Sequence, residues 1–432
     1  MAVSAEDLGI DFNDAEDDIE TQQLLLASSH HDIEALRTLL KTIPATVQDA
    51  ETGYTPLHAA IAACVSDNDA LVNGGEHNNG PATGVVGGNE QPETVQAAEK
   101  TMRLLLQNGA IWNDLDVNDE TPGCLARRLK LGSLYDVMVD AGVRAELLLN
   151  RLDNFAPLGG DDDEDEEDEV EDEELEVVEV IEDAGMNGTA QGTANGAEGD
   201  SSTESAHYLS SALTFTSDRL VDSSSNGVMM EWESSIMSRT SDLLLPTPGL
   251  SVLNIGHGMG IIDTLFQSKK PATHHIIEAH PAVLAQMLET GWRGSDEATS
   301  TSNTYPGVTV HAGRWQDVLP QLITSGVTFD AIYFDTFAED YKAFRHFFEE
   351  YVIGVLKPEG RWSFFHGLGA DRQVCYDVYT KVVEMDLFEV GFDVEWSELD
   401  TKEAEREGEW DGVRRRYWAL DTYRLPVCKF VG

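Results

Sequence analysis

The chain has 432 residues, 41% of them hydrophobic and 8% aromatic, which is enough to bury two or three cores and excludes disorder throughout. Its 28 Lys and Arg face 79 Asp and Glu, for a net charge of −51. Nucleic acid and anionic membrane repel such a polyanion, which argues against nonspecific binding to either and invites a cationic partner.

The first residues, MAVSAEDLGIDFNDAEDD, are acidic where a signal or transit peptide is basic. No run reaches the roughly 18 apolar residues that cross a bilayer. Cys64, Cys124, Cys375 and Cys428 lie far apart without a CxxC pair, which fits a reducing compartment rather than a disulfide framework or thiolate zinc site. The expectation is a soluble intracellular protein without a metal.

Residues 1–155 read as amphipathic helices and two TP turns. Thr55-Pro56-Leu57-His58-Ala59-Ala60 and Thr121-Pro122-Gly123-Cys124-Leu125-Ala126 each follow a turn and a leucine-rich helix, Ile33–Leu40 and Met102–Ala110 respectively. This resembles ankyrin repeats, with their T-P-L-H-x-A start and L-L-L-x-x-G-A end. The two TP pairs stand 66 residues apart, twice the ankyrin period, around a Gly/Asn-rich stretch that reads as an insertion. Such a stack serves either to bind protein or merely to stabilise the chain.

Residues 156–203 read as a linker. Its run 161–183 holds 17 acids and no base, and a Gly-, Ser- and Ala-rich tract follows. So little apolar surface cannot offset ordering entropy, and disorder is expected.

Residues 204–432 alternate strands and helices. Strands are expected at Val252–Ile255, His275–Ile277, Val308–Val310, Phe329–Asp335 and, after a Lys357–Gly360 turn, Arg361–Phe365. That order predicts an α/β fold with a mostly parallel, doubly wound sheet and a ligand at the strands' carboxyl ends. The Gly256-His257-Gly258-Met259-Gly260 turn lets a ligand approach the backbone, and Glu278 at the next strand end can accept from ribose hydroxyls. Ile261 stands where a phosphate-binding turn carries its third glycine, so a cofactor without phosphates fits better. Asp335-Thr336 and the KPEG turn are habits of class I methyltransferases, whose S-adenosylmethionine carries a sulfonium cation.

Several of these motifs together resemble guanidinoacetate N-methyltransferase: Val252–Gly260, His275–Glu278, Gly313–Val318, Phe329–Thr336 and the upstream V-M-x-x-W-E-x-x-x-M of Val228–Met237, read as a helix before the sheet. With the ankyrin-like prefix, the chain is similar to the fungal protein-arginine N5-methyltransferases, the type IV arginine methyltransferases. The resemblance implies S-adenosylmethionine as cofactor. Tyr208, Met229 and Met237 should cover it, and His257, Gly258, Met259, Gly260, Ile261 and Ile262 should loop around its methionine part. Glu278 should meet the ribose beside Ala279 and His280, and Arg314 and Trp315 should border the adenine. Glu233 and Asp335 should hold the target guanidinium as the catalytic pair, Asp335 also touching the cofactor.

The double-glutamate loop and THW motif of ordinary protein-arginine methyltransferases are absent, so their terminal-nitrogen chemistry is unsupported. The reaction implied is methylation of an arginine δ-nitrogen (N5) in a protein, of which a basic ribosomal protein is a suitable example. It would be carried out by a monomer in cytoplasm and nucleus. A small guanidino substrate, or a scaffold built on a vestigial transferase fold, are the alternatives.

Overall fold

The computed structural model describes residues 12–65, 92–152, 205–292, 305, 307–402, 408 and 410–432. The expected Gly/Asn-rich insertion and the acidic linker both lie wholly outside these.

The N-terminal part is helical: α1 (Phe12–Ser29), α2 (Ile33–Leu39), α3 (Pro56–Ala62), α4 (Glu93–Gln107), α5 (Pro122–Arg128) and α6 (Gly132–Leu152). Both TP motifs start a helix for the same reason. Thr55 and Thr121 cap α3 and α5 with their hydroxyls, and the proline that follows needs no N–H partner in the first turn. His58 ties the two together. Its Nδ1 accepts from the Thr55 N–H, so Nε2 carries the proton and donates to the Glu120 carbonyl at 3.0 Å, just before the second motif. Burial depresses the pKa of this imidazole and favours that neutral form.

The remainder begins with α7 (Ser205–Ser210) and a small antiparallel sheet of β1 (Thr214–Phe215), β2 (Arg219–Val221) and β3 (Gly227–Met230). The expected helix over Val228–Met237 is corrected here. Met229 and Met230 pair with Leu220 and Arg219 as strand, Glu231–Glu233 form one 3-10 turn, and α8 runs only from Ser234 to Leu244. Glu233 stops the strand by accepting from the Met230 N–H at 3.1 Å.

Then follow β4 (Ser251–Ile255), α9 (Ile261–Ser268), β5 (Thr273–Glu278), α10 (Pro281–Thr290), β6 (Val308–Ala312), α11 (Trp315–Thr324), β7 (Phe329–Phe334), α12 (Tyr341–His346), β8 (Leu356–Phe364), α13 (Gln373–Glu389), β9 (Phe392–Asp400) and β10 (Thr422–Phe430). Among the described residues the large sheet has seven strands in the order β6-β5-β4-β7-β8-β10-β9. The first five are parallel, and β10 is antiparallel to both neighbours. This is the class I methyltransferase fold. Its winding reverses at β4, where β5 and β7 flank the first strand and open a crevice.

The Lys357–Gly360 turn is also corrected. Phe329 pairs with Leu356 while Ala331 pairs with Arg361, so the KPEG residues form a bulge inside β8 rather than a turn before it.

The two parts share a core. Helix α6 lies along α13, where a Cβ on Gly142 would come within 2.6 Å of Val378. Tyr135 donates to Asp377, and Tyr379 to Glu146 at 3.0 Å. One apolar cluster runs from Leu24 through Trp112 and Val137 to Val378, Trp362 and Cys428.

Candidate active site

A cavity of about 600 Å³ opens at the carboxyl ends of β4, β5, β7 and β8. Its floor comes from the sheet. Its walls come from β3, from Gly367–Arg372 ahead of α13, from Arg415–Tyr417 ahead of β10, and from Leu115 and Asp119 of the helical part.

One half is built from the turns that follow consecutive strands. Gly256 has φ +94°, and a Cβ there would sit 1.9 Å from the Asp335 carbonyl, so the residue after β4 must lack a side chain. Gly258 has φ +54°, and its Cβ would meet the Met229 thioether at 2.8 Å. Met229 sulfur in turn accepts from the Met259 N–H at 3.3 Å, closing the loop against β3. Glu278 is buried and held at both oxygens, by the His257 N–H at 2.8 Å and the His280 N–H at 2.7 Å. At the far end Trp315 donates to Glu339, which also accepts from Gln316 and Thr336.

Beneath the glycine loop lies a buried charge. Asp263 accepts from His257 Nδ1 at 2.6 Å, His274 Nε2 at 2.8 Å and Asn254 Nδ2 at 2.8 Å. Burial opposes its ionisation, but the hydrogen bonds from the two histidines outweigh it and hold the pKa down at about 2.

The other half of the cavity carries Glu233 and Asp335. Glu233 is 3% exposed, and its Oε1 accepts from both the Met230 N–H and the Tyr417 hydroxyl. Asp335 follows β7, with its own N–H bonded to the Ile255 carbonyl and the Tyr333 hydroxyl 3.5 Å from its carboxyl. Burial pushes Asp335 up to about 7, against a smaller lowering by Tyr333. A carboxyl held near neutrality can exchange a proton at physiological pH.

Of the residues singled out from sequence, Tyr208, Met229, Glu233, Gly258, Glu278, Ala279, Arg314, Trp315 and Asp335 line this cavity. Others do not. The His257 side chain turns beneath the loop to Asp263, and Met237 and Ile262 pack with Phe266 in the core. His280 caps α10 and bonds the Tyr208 carbonyl. Met259 and Gly260 in the loop, and Ile261 at the start of α9, do not line the wall. Sequence reasoning missed Tyr417, Glu339, Asp371 and Arg372, and missed Leu115 and Asp119 altogether. Glu339 had a local signal, three residues beyond Thr336. Tyr417 reaches Glu233 across 184 positions and had none. Among the described residues, no three His, Cys, Asp or Glu side chains are grouped to hold a metal.

Residues 197–392 match the sequence family described as guanidinoacetate N-methyltransferase. Protein arginine N-methyltransferase 2 of Emericella nidulans is 54% identical over 434 residues, covering 96% of this chain and 97% of that one. The protein of the same name from Aspergillus fumigatus is 53% identical over 427 residues, with the same coverage. The chain belongs to the protein arginine N-methyltransferase 2 family. Among solved structures, the O-methyltransferase TomG of Streptomyces achromogenes aligns at TM-score 0.30 and 14% identity, over 46% of this chain and 80% of that one. In this family member the guanidinoacetate-type match ends before Tyr417 and begins after Asp119, so part of the cavity wall comes from outside it. The protein arginine N-methyltransferase 2 relatives, by contrast, span those segments as well.

Proposed function

We propose that the chain is an S-adenosylmethionine-dependent methyltransferase acting on the δ-nitrogen of arginine in a protein. The observation that carries this reading is the pair of carboxylates, buried Glu233 and half-buried Asp335, in one cavity with a nucleoside-type strand-end site.

The residues fit the cofactor. Glu278 stands where a ribose would offer its hydroxyls. Gln316 Oε1, beside Trp315, is buried without a partner in the protein, an acceptor suited to an exocyclic amine. Gly258 leaves the loop backbone open to a methionine moiety. When bound, S-adenosylmethionine supplies an electrophilic methyl group on a sulfonium.

The chain's own residues do the rest. Guanidinium is a planar fork of donors, and Glu233 and Asp335 are acceptors that grip and orient it. With the terminal nitrogens engaged, the δ-nitrogen is the one left to face the methyl group. Methylation would make that nitrogen more acidic, and the Asp335 carboxylate would receive its proton. Orientation supplies most of the acceleration.

The helical part reads as an ankyrin-like stack that helps receive the protein substrate. In support, its two TP motifs are joined through His58, and its loop residues Leu115 and Asp119 stand on the wall of the same cavity. Mass spectrometry of arginine peptides methylated by the purified chain tests the whole reading. Fragment ions placing the methyl group on N5 are expected, and methyl groups on terminal nitrogens alone would overturn it.

A further inference from the structure

We infer that Tyr417 is a positioning residue for the reaction, acting on the substrate through Glu233. The inference rests on the carboxylate pair proposed above. Glu233 is buried and Asp335 half-buried, and they are held in different ways. Asp335 has one long contact, to Tyr333 at 3.5 Å, and burial leaves it close to neutrality. Glu233 is gripped at one oxygen by two donors, one from β3 and one from Tyr417. Two donors converging on one oxygen fix the carboxylate plane that meets a guanidinium.

Tyr417 can do this because its segment is fastened to the same small sheet that carries Glu233. Arg219 donates to the Asp411 carbonyl at 2.8 Å, and the Arg414 N–H to the Ser225 carbonyl at 2.9 Å. Asn226 and Arg415 form a parallel bridge. The ring is clamped as well: it packs edge-on against Trp410 at 4.9 Å and lies over Gly227, where a Cβ would come within 3.2 Å of it. A surface tyrosine making an incidental contact would not be held from three sides. The built-in constraint assigns it the task of setting the angle at which Glu233 meets the guanidinium.

A double-mutant cycle tests this. Tyr417→Phe keeps the ring and removes the hydroxyl. It should lower kcat/KM on a synthetic peptide with a central arginine by about ten- to a hundredfold, the usual worth of a hydrogen bond to a charged group. Cofactor affinity measured by calorimetry should stay within about twofold, because the hydroxyl bonds Glu233 rather than any of the strand-end residues. The decisive reading is the pair: Tyr417→Phe added to Glu233→Gln should cost almost nothing further. Gly227→Ala, which displaces the ring but keeps the hydroxyl, should show the same pattern more weakly. Losses that multiply in the double variant, or parent-like kcat/KM in Tyr417→Phe, would overturn the inference. Full activity in Glu233→Gln would overturn the carboxylate reading itself, and the inference with it. Titration of the folded protein with guanidinium ion, at constant ionic strength, repeats the comparison without turnover.

Discussion

The two halves of the cavity are assembled from different kinds of sequence. The half suited to a nucleoside comes from the ends of successive strands: Gly256 and Gly258 after β4, Glu278 at the end of β5, Arg314 and Trp315 after β6, Asp335 after β7. Each position is set by a strand beside it, so a single βα turn is enough to place it. The half suited to a guanidinium draws on β3, the segments before α13 and β10, and the helical part. Its residues meet only after the whole chain has folded. A parallel sheet therefore delivers a cofactor site almost automatically, whereas a substrate site has to be gathered from distant segments.

Asp335 belongs to both halves, and its loss should be the largest effect. Asp335→Asn keeps the shape but offers donors where acceptors are needed, and turnover should fall by about 30-fold or more, corresponding to roughly 2–5 kcal/mol for an oriented buried charge. In the parent enzyme, free of cofactor, the carboxylate forms as pH rises through about 7, so kcat/KM should fall as pH drops below that value. Stability should run the opposite way. An acid whose folded pKa lies above its unfolded value stabilises the fold at low pH and loses that contribution as pH rises through the folded pKa. Asp335→Asn should therefore melt higher than the parent at pH 8 and gain little at pH 4. An unchanged melting point at pH 8 would count against a strained carboxylate.

Next comes the anchor beneath the glycine loop. Asp263→Ala leaves two buried histidines facing a void and should cost about 3–5 kcal/mol, the usual penalty for breaking a buried ionic group. Asp263 has a folded pKa below its ordinary value, so its contribution is present above about pH 4 and disappears as pH falls through about 2. Denaturant melts at pH 7 and pH 3 should show the gap between parent and variant narrowing. If the gap is constant with pH, Asp263 acts by packing alone.

The smallest effect should be at the outer edge. Asp119 is exposed, and its loop is shaped by Asp116, which accepts from the Asn118 and Glu120 N–H groups. Asp119→Lys should raise KM for an arginine peptide by a few-fold, most at low salt, with kcat unchanged. A fall in kcat with constant KM would instead assign this loop to the chemistry.

Legibility follows the same division. The parallel strands show in sequence as short β-branched and aromatic runs between Gly-rich turns, and their order gives the fold before any contact is known. The antiparallel β9 and β10 do not show in the same way, because charged residues interrupt them, as in Glu395, Glu398 and Lys429. Val228–Glu233 misled for another reason: V-M-M-E-W-E has no decisive period, and pairing with β2 makes it strand. The sequence shows only the position of His257 in the glycine turn, which points to a loop contact. Its partner Asp263 is six residues on, facing inward on α9, and the second histidine comes from β5.

The joint between α6 and α13 has a consequence for how the molecule comes apart. Val374 and Val378 on the transferase side lie directly against Gly123 and Gly142 on the helical side, where an added Cβ would come within 2.6 Å of either valine. A boundary of that kind does not open without exposing both cores, so the helical half and the transferase half should melt as one cooperative unit. Damage that loosens either half therefore removes the other. Partial unfolding leaves no stable transferase stripped of its N-terminal wall.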